Sequence, residues 1–191
     1  MSQPDWKQKL TGFPDKVCVA FAARCARRVQ PLFLVSWPEA PQRLYHLLDG
    51  ALETVEDSIR GRDRCNSTFA FNGMSAVKAA FAAGAEQAST VASTIACATQ
   101  ALAAMGYGDL SVTHAATAAD YALQVFEKGG AEGQQNASQL ALEAMLQDLE
   151  TIHHQLDRAH IADEREAPID FGPLWPKEEP DYVLQLPAFE E

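Results

Sequence analysis

The sequence has no long hydrophobic run, and this absence argues against a membrane-spanning segment. A charged residue or a Ser/Thr interrupts every apolar stretch within about ten residues, whereas a helix that spans a bilayer needs about 20 consecutive apolar residues. The N-terminal residues MSQPDWKQKL carry charge without an apolar core region directly behind them, so we expect no secretory signal. Both absences predict a cytoplasmic protein in a reducing compartment.

Cysteine is scarce, and the spacing of the four cysteines is not that of a disulfide framework or a metal knuckle. Cys18 and Cys25 lie seven residues apart on one predicted helix, which separates their Cα atoms by about 10 Å, too far for a disulfide. Cys65 and Cys97 have no partner in a Cys-x-x-Cys motif. We therefore predict that all four are small buried residues.

Basic residues are also few, since 15 Lys and Arg stand against 26 Asp and Glu, for a net charge of −11. A nucleic-acid ligand requires a basic surface, so the balance disfavours one. The acids are concentrated in residues 161–191, where nine acids face two bases and contribute −7 of the total. This asymmetry fits a basic protein partner, although acidity also serves solubility alone.

Strand signals are weak in residues 1–160, which show no period-two alternation. Apolar residues instead recur at helical spacing, most clearly in Leu44, Leu47, Leu48, Ala51, Leu52, Val55 and Ile59. Six helices are predicted. One begins near Asp15, one covers the leucine-rich segment, and the others run over 68–83, over 85–105, from Asp109 to about 127, and from Glu132 or Ala137 to His160. The prediction is an all-α fold, either an antiparallel bundle or a short α-solenoid of about six helices.

The last thirty residues differ in character from the rest of the chain. Five prolines preclude a helix there, yet the segment holds large apolar residues, including Trp175. We expect a helical domain over 1–162 and an extended, acidic, Pro-containing tail over 163–191. The tail is interpreted as a strap laid across the helices with Trp175 as its anchor, and the alternative is a docking peptide for a partner.

No convincing catalytic constellation is present. Gly106-x-Gly108 follows a helix and is a turn signal rather than a dinucleotide fingerprint. His114 could be combined with Cys97 or Ser93, but no nucleophile elbow surrounds either residue. Arg24, Arg27 and Arg28 could clamp an anion, although a basic rim paired with the acids of the leucine-rich helix is the simpler interpretation. We therefore expect neither enzymatic activity nor a cofactor.

One cluster resembles part of a metal site. Glu150-x-x-His153 is half of a ferritin-like carboxylate motif, but a di-metal bundle needs a second copy of it and carboxylates from two more helices, and no second copy exists. Histidines are also favoured at helix C-termini by the helix dipole. We predict solvated end-of-helix side chains and no metal, with a metal-binding helical bundle as the alternative, for the full set Glu150, His153, His154, Asp157 and His160.

Three segments carry a resemblance to a known group. The segment 25–33, Cys-Ala-Arg-Arg-Val-Gln-Pro-Leu-Phe, precedes a proline turn and a leucine-rich helix over 43–60, and the Ala-rich centre contains His114-Ala-Ala-Thr-Ala118. Both features are similar to those of bacterial immunity proteins of polymorphic toxin systems, of the Ala/His-rich helical type. The ending over 171–176, Phe-Gly-Pro-Leu-Trp-Pro, resembles tails of related conflict-system proteins. The centre departs from the group in having one histidine where several are common.

The resemblance implies a non-enzymatic protein that neutralises a bacterial toxin by occluding it. The alternative is an accessory or adaptor protein of a bacterial defence or signalling complex. A protein partner is expected, with no nucleic acid and no membrane, and the small-residue faces also allow a homo-oligomer. The predicted partner-binding residues are the acids of the leucine-rich helix and the tail residues: Asp49, Glu53, Glu56, Asp57, Trp175, Glu178, Glu179 and Asp181.

Overall fold

The computed structural model describes residues 4–61, 68–128 and 135–159, together with Leu174. These residues form helices, and the described part of the chain contains no strand, which confirms the predicted all-α class. No helix in the described ranges is long and apolar enough to cross a bilayer. The helices are α1 (Trp6–Leu10), α2 (Asp15–Val29), α3 (Leu32–Ser36), α4 (Gln42–Ile59), α5 (Thr68–Ala82), α6 (Glu86–Ala103), α7 (Asp109–Lys128) and α8 (Gln135–Ala159).

Helix α2 lies at the centre of the molecule, in contact with α4, α6, α7 and α8. Its apolar side chains are buried on nearly every side, from Val17 to Val29. A helix that is buried all round has no solvated face on which to place its polar residues. The basic rim that the sequence predicts for this helix is therefore incomplete, because Arg28 is only 1% exposed.

Helices α6 and α7 form the Ala-rich layer against which α2 packs. Half of their buried residues are alanine, and Ile95 and Phe126 are among the few large ones. Small side chains allow neighbouring helix axes to approach closely, and the loss of side-chain area is offset by the closer contact. The predicted boundaries of both helices agree with the structure to within two residues.

Helix α4 matches its prediction most closely. Leu44, Leu48, Leu52 and Val55 are buried, and the helix ends at Ile59, just before Gly61 with its positive φ. The apolar stripe faces α2, α5 and α6. An unbroken i, i+3, i+4, i+7 pattern leaves only one face that can be buried, so the sequence alone determines which side of α4 packs inward.

Two short helices were not predicted. Helix α1 begins after Asp5, whose carboxylate accepts a hydrogen bond from the Gln8 backbone N–H at 2.9 Å, an N-cap that the sequence analysis missed. Helix α3 follows Pro31. It ends at Ser36, whose hydroxyl donates a hydrogen bond to the Leu32 carbonyl at 2.6 Å.

The side chain of Phe81 in α5 is 74% exposed, although it is the large aromatic residue at this end of the helix. Helix α5 instead buries Gly73, Ala76 and Ala80, a stripe of small residues at i, i+3 and i+7 that lets α5 approach α6. Phe81 lies about 100° further round the helix from Ala80. Close helix packing selected the small face over the larger aromatic one.

The closeness of α5 and α6 at Gly73 gives a direct test. A Cβ added at Gly73 would lie 3.1 Å from both the Cα and the Cβ of Ala96, whereas one added at Gly50 in α4 would meet nothing within 4 Å. We expect Gly50→Ala to stabilise the fold by about 0.5–1 kcal/mol through helix propensity. Gly73→Ala gains the same propensity but must separate the helices, at a cost of about 1–3 kcal/mol.

The measurement is the free energy of unfolding in urea for the two alanine variants and the wild-type protein. Gly73→Ala should be less stable than wild type and Gly50→Ala more stable. Equal stabilisation by both substitutions would show that α5 and α6 do not pack closely at Gly73.

Candidate functional site

The acidic face of α4 is the first candidate site, and its central feature is Arg27 of α2. The Arg27 guanidinium donates to Glu56 at 2.7 and 3.1 Å and to Asp49 at 2.6 Å. Gln30 joins the network by donating to Asp49 at 2.9 Å and accepting from Arg27 at 2.7 Å. Two of the four predicted partner-binding acids of α4 therefore already bind an arginine of the same chain.

The other two predicted acids of α4 differ from each other. Glu53 is exposed on the outer side of the helix. Asp57 has a side chain that is only 16% exposed and lies 4.0 Å from the Arg60 guanidinium. Glu53 is thus the acid of α4 that is best placed to meet a partner. Trp175, Glu178, Glu179 and Asp181 lie outside the described residues, and their roles remain predictions.

The Arg27 network shifts the titration of Asp49. Partial burial raises the pKa of Asp49, but the hydrogen bonds from Gln30 and Arg27 lower it by more, so the net shift is downward. Glu56 and Asp49 in turn hold the pKa of Arg27 above its usual value, against the opposing effect of burial. Both groups are therefore charged across the physiological range, and the network acts as one partly neutralised unit.

A second polar cluster lies inside the molecule and was not predicted. Arg28 donates to Asp148 of α8 at 2.7 Å, and Arg24 donates to the other carboxylate oxygen of Asp148 at 3.0 Å. The side chains of Arg28 and Asp148 are 1% and 4% exposed. Burial of these charges is tolerated only because each is paired and hydrogen-bonded.

A sequence signal for this cluster did exist. The buried residues of α8 include Ala141, Ala144, Met145 and Ile152, and Asp148 occupies the same stripe at helical spacing. A carboxylate on an apolar stripe predicts a buried cationic partner. The interpretation of Arg24, Arg27 and Arg28 as one basic rim paired with α4 holds for Arg27, whereas Arg24 and Arg28 contact α8.

The third candidate is the α6–α7 corner, which we define as residues 104–111. Gly106 and Gly108 have positive φ there, and the side chain of Asp15 accepts hydrogen bonds from the Gly106 N–H at 2.6 Å and the Ser111 hydroxyl at 2.9 Å. These contacts tie the corner to the start of α2. Three large apolar side chains nevertheless face solvent at this corner: Met105 at 41%, Tyr107 at 71% and Leu110 at 52% exposure.

The residues considered for chemistry do not converge. Cys18, Cys25 and Cys97 are buried free thiols; burial raises the pKa of Cys97 to about 11 and that of Cys18 to about 12. Such thiols are protonated at neutral pH and are poor nucleophiles. No cysteine among the described residues is therefore set up for nucleophilic catalysis.

The predicted alternative of a metal site involves residues of which the structure describes only some. His153 and His154 are exposed near the end of α8, and the His153 ring packs against Phe13 with centroids 4.5 Å apart. Within the described ranges, no three His, Cys, Asp or Glu side chains are grouped so that they could hold a metal ion. The side chain of Asp157 and all of His160 lie outside those ranges.

Comparison with known proteins adds no relative: no protein-family model, no curated protein and no solved structure matches this chain.

Two carboxylates with opposite shifts provide a matched test of these electrostatics. The pKa of Asp49 is lowered by its partners, whereas partial burial and the nearby charge of Asp5 raise the pKa of Asp120 in α7. A lowered folded-state pKa means that the Asp49 contribution is present above the unfolded pKa of about 4 and is lost as the pH falls below it. The raised folded-state pKa of Asp120 means that its ionised carboxylate opposes folding at neutral pH.

Asp49→Asn should therefore lower the free energy of unfolding at pH 7 by up to about 1 kcal/mol, a figure that allows for solvent screening of this half-exposed pair. Asp120→Asn should raise it slightly at the same pH. Urea unfolding at pH 7 and pH 3.5 measures both effects, and the difference between the variants should shrink at the lower pH. Equal effects at the two pH values would contradict the assignment.

Proposed function

We propose that this chain is a binding protein of the immunity or antitoxin type, which neutralises a basic bacterial toxin domain by covering part of its surface. The observation that carries the proposal is the α6–α7 corner, where three large apolar side chains are exposed on backbone that Asp15 holds in place. Exposed aromatic and methionine side chains on a fixed backbone are typical of protein interfaces.

The overall charge supports a basic partner. The chain carries a net charge of −11, and complementary charge accelerates association and favours the correct partner. On α4, Arg27 offsets much of the charge of Asp49 and Glu56, so the electrostatic attraction from this helix depends mainly on Glu53. The resemblance of residues 25–33 and of the Ala-rich centre to immunity proteins supports the same function.

The small-residue stripe that could have mediated self-association is used inside the molecule. Gly73 and Ala80 of α5 are buried in its packing against α6. The exposed apolar corner is a different surface, and it is the one assigned here to the toxin. The proposed extended strap over 163–191 would add Trp175 and the tail acids Glu178, Glu179 and Asp181 to the interface.

The experiment uses the purified products of the open reading frames adjacent to the gene for this chain. Binding is measured by surface plasmon resonance, and protection is measured as growth of bacteria that express the neighbouring product with and without this protein. We expect one neighbouring product to bind and its toxicity to be suppressed. Binding without protection would favour the adaptor alternative, and absence of both would refute the proposal.

Surface variants then locate the interface. Tyr107→Ser should weaken binding by about 2 kcal/mol, mostly through faster dissociation, because a central aromatic contact is lost. Glu53→Lys should mainly slow association, and the effect should diminish as salt is added. Phe81→Ser is the matched control, since Phe81 is equally exposed but lies on α5. A larger loss with Phe81→Ser than with Tyr107→Ser would move the interface away from the corner.

A further inference from the structure

The buried guanidinium of Arg28 contacts a residue far away in the sequence. Its Nη2 and Nε atoms donate hydrogen bonds to the main-chain carbonyl of Leu174, at 2.8 and 3.1 Å. Its Nη1 atom donates to Asp148 at 2.7 Å. One guanidinium thus connects α2, α8 and a residue that follows the end of α8 by fifteen positions, from 159 to 174.

The geometry suits recognition of a peptide backbone. The guanidinium is planar and rigid, and its N–H groups point in fixed directions. Asp148 receives Nη1 of Arg28 and Nε of Arg24 on its two oxygens, so the carboxylate fixes the plane of Arg28. The Nε and Nη2 groups of Arg28 then converge on a single carbonyl oxygen. A main-chain carbonyl is present at every position of a peptide, so this contact specifies an extended segment rather than one side chain.

The side chain of Leu174 supplies the second part of the contact. It is half-buried and packs against the hydrophobic core. An apolar side chain beside a hydrogen-bonded carbonyl is the combination that docking sites for extended peptides use, since the backbone supplies affinity and the pocket supplies specificity. Both components meet at the α2–α8 interface.

We propose that Arg28 and Asp148 form a peptide-docking site, and that its occupant is the segment of this same chain that contains Leu174, bound in cis. The hydrogen bonds from Arg28 to the Leu174 carbonyl are the direct observation. Covalent attachment favours this occupant, because a tethered segment is presented at an effective concentration in the millimolar range. The fifteen residues after Ala159 can extend to about 50 Å, which leaves ample reach.

The contact between Arg28 and Leu174 forms within one chain and requires no partner. It does bear on the proposed function, because Trp175 follows Leu174 directly and the predicted contact residues Glu178, Glu179 and Asp181 begin four positions later. A site that binds Leu174 would therefore fix the position on the helical bundle from which these predicted contact residues extend. Loss of the docking contact and loss of toxin binding can be measured separately.

The test is limited proteolysis of the full-length chain at the Lys177–Glu178 bond, followed by mass spectrometry. Trypsin must bind several residues on both sides of this bond in its active-site cleft, and it cannot do so while Leu174 is docked. Cleavage of a docked segment therefore tracks the equilibrium between the docked and undocked forms.

Two variants weaken the docking site. Arg28→Lys keeps the charge beside Asp148 but lacks the planar fork, and Leu174→Ala removes the apolar contact without altering the helices. Arg28→Lys should accelerate cleavage about tenfold or more, because a charge-assisted hydrogen bond is lost. Leu174→Ala should accelerate it about tenfold, because apolar surface is no longer buried.

Arg27→Lys is the matched control, because Arg27 is the adjacent arginine, forms ion pairs of similar length, and donates to α4 and Gln30 instead. Its cleavage rate should match that of the wild-type protein, and circular dichroism should confirm that all variants remain helical. Unchanged cleavage in Leu174→Ala would overturn the proposal even if Arg28→Lys failed to fold. Equal acceleration by Arg27→Lys would also overturn the proposal. So would protection from cleavage that disappears on dilution, because it would show that the segment binds to a second copy of the chain.

Discussion

Pairing of the buried Arg28 with Asp148 is the interaction on which the rest of the molecule depends. An arginine that is 1% exposed must find a carboxylate and further acceptors, because an unpaired ion costs several kcal/mol to bury. Asp148 provides the carboxylate and Leu174 provides the carbonyl. The need to pair this one side chain therefore couples α2 to α8 and to Leu174. Apolar packing alone would not distinguish this arrangement from others.

The surface follows from how the interior uses its charges. The three clustered arginines of α2 all bind acids of the same chain, Arg27 on α4 and the other two on α8. These arginines thus offset part of the charge of the acids on α4 and of the buried Asp148 on α8. The rest of the net negative charge lies on other parts of the chain, whereas the α6–α7 corner exposes apolar side chains. An acidic body with one rigid apolar corner is suited to binding a basic protein, which is the function proposed here.

Prediction from sequence succeeded where a single local pattern was decisive. Helix α4 has an unbroken apolar stripe, and its boundaries and buried face were predictable for that reason. Helix α5 was predictable as a helix, but its orientation was not. Both the small face and the face with Phe81 could be buried, and the choice depends on how closely α6 can approach Gly73.

The candidate sites were harder to predict because they depend on contacts between distant residues. The acidic face of α4 was visible in the sequence, but its partial neutralisation by Arg27 requires knowledge of how α2 and α4 pack. Asp148 on the apolar stripe of α8 was a usable signal for a buried ion pair. The exposed corner gave no signal, because Met105 continues the apolar spacing of the helix predicted over 85–105, whereas α6 ends at Ala103.

The most direct measurement is a double-mutant cycle between Arg28 and Asp148, with free energies of unfolding determined in urea at pH 7. Asp148→Asn should destabilise the fold by about 3–5 kcal/mol, since it leaves the buried Arg28 without a carboxylate. Arg28→Met should cost less, because Arg24 still pairs with Asp148. The double variant should cost far less than the sum of the two, with a coupling energy of about 2 kcal/mol or more. Additive costs, or single costs below about 1 kcal/mol as for an exposed pair, would contradict the central place given to this interaction.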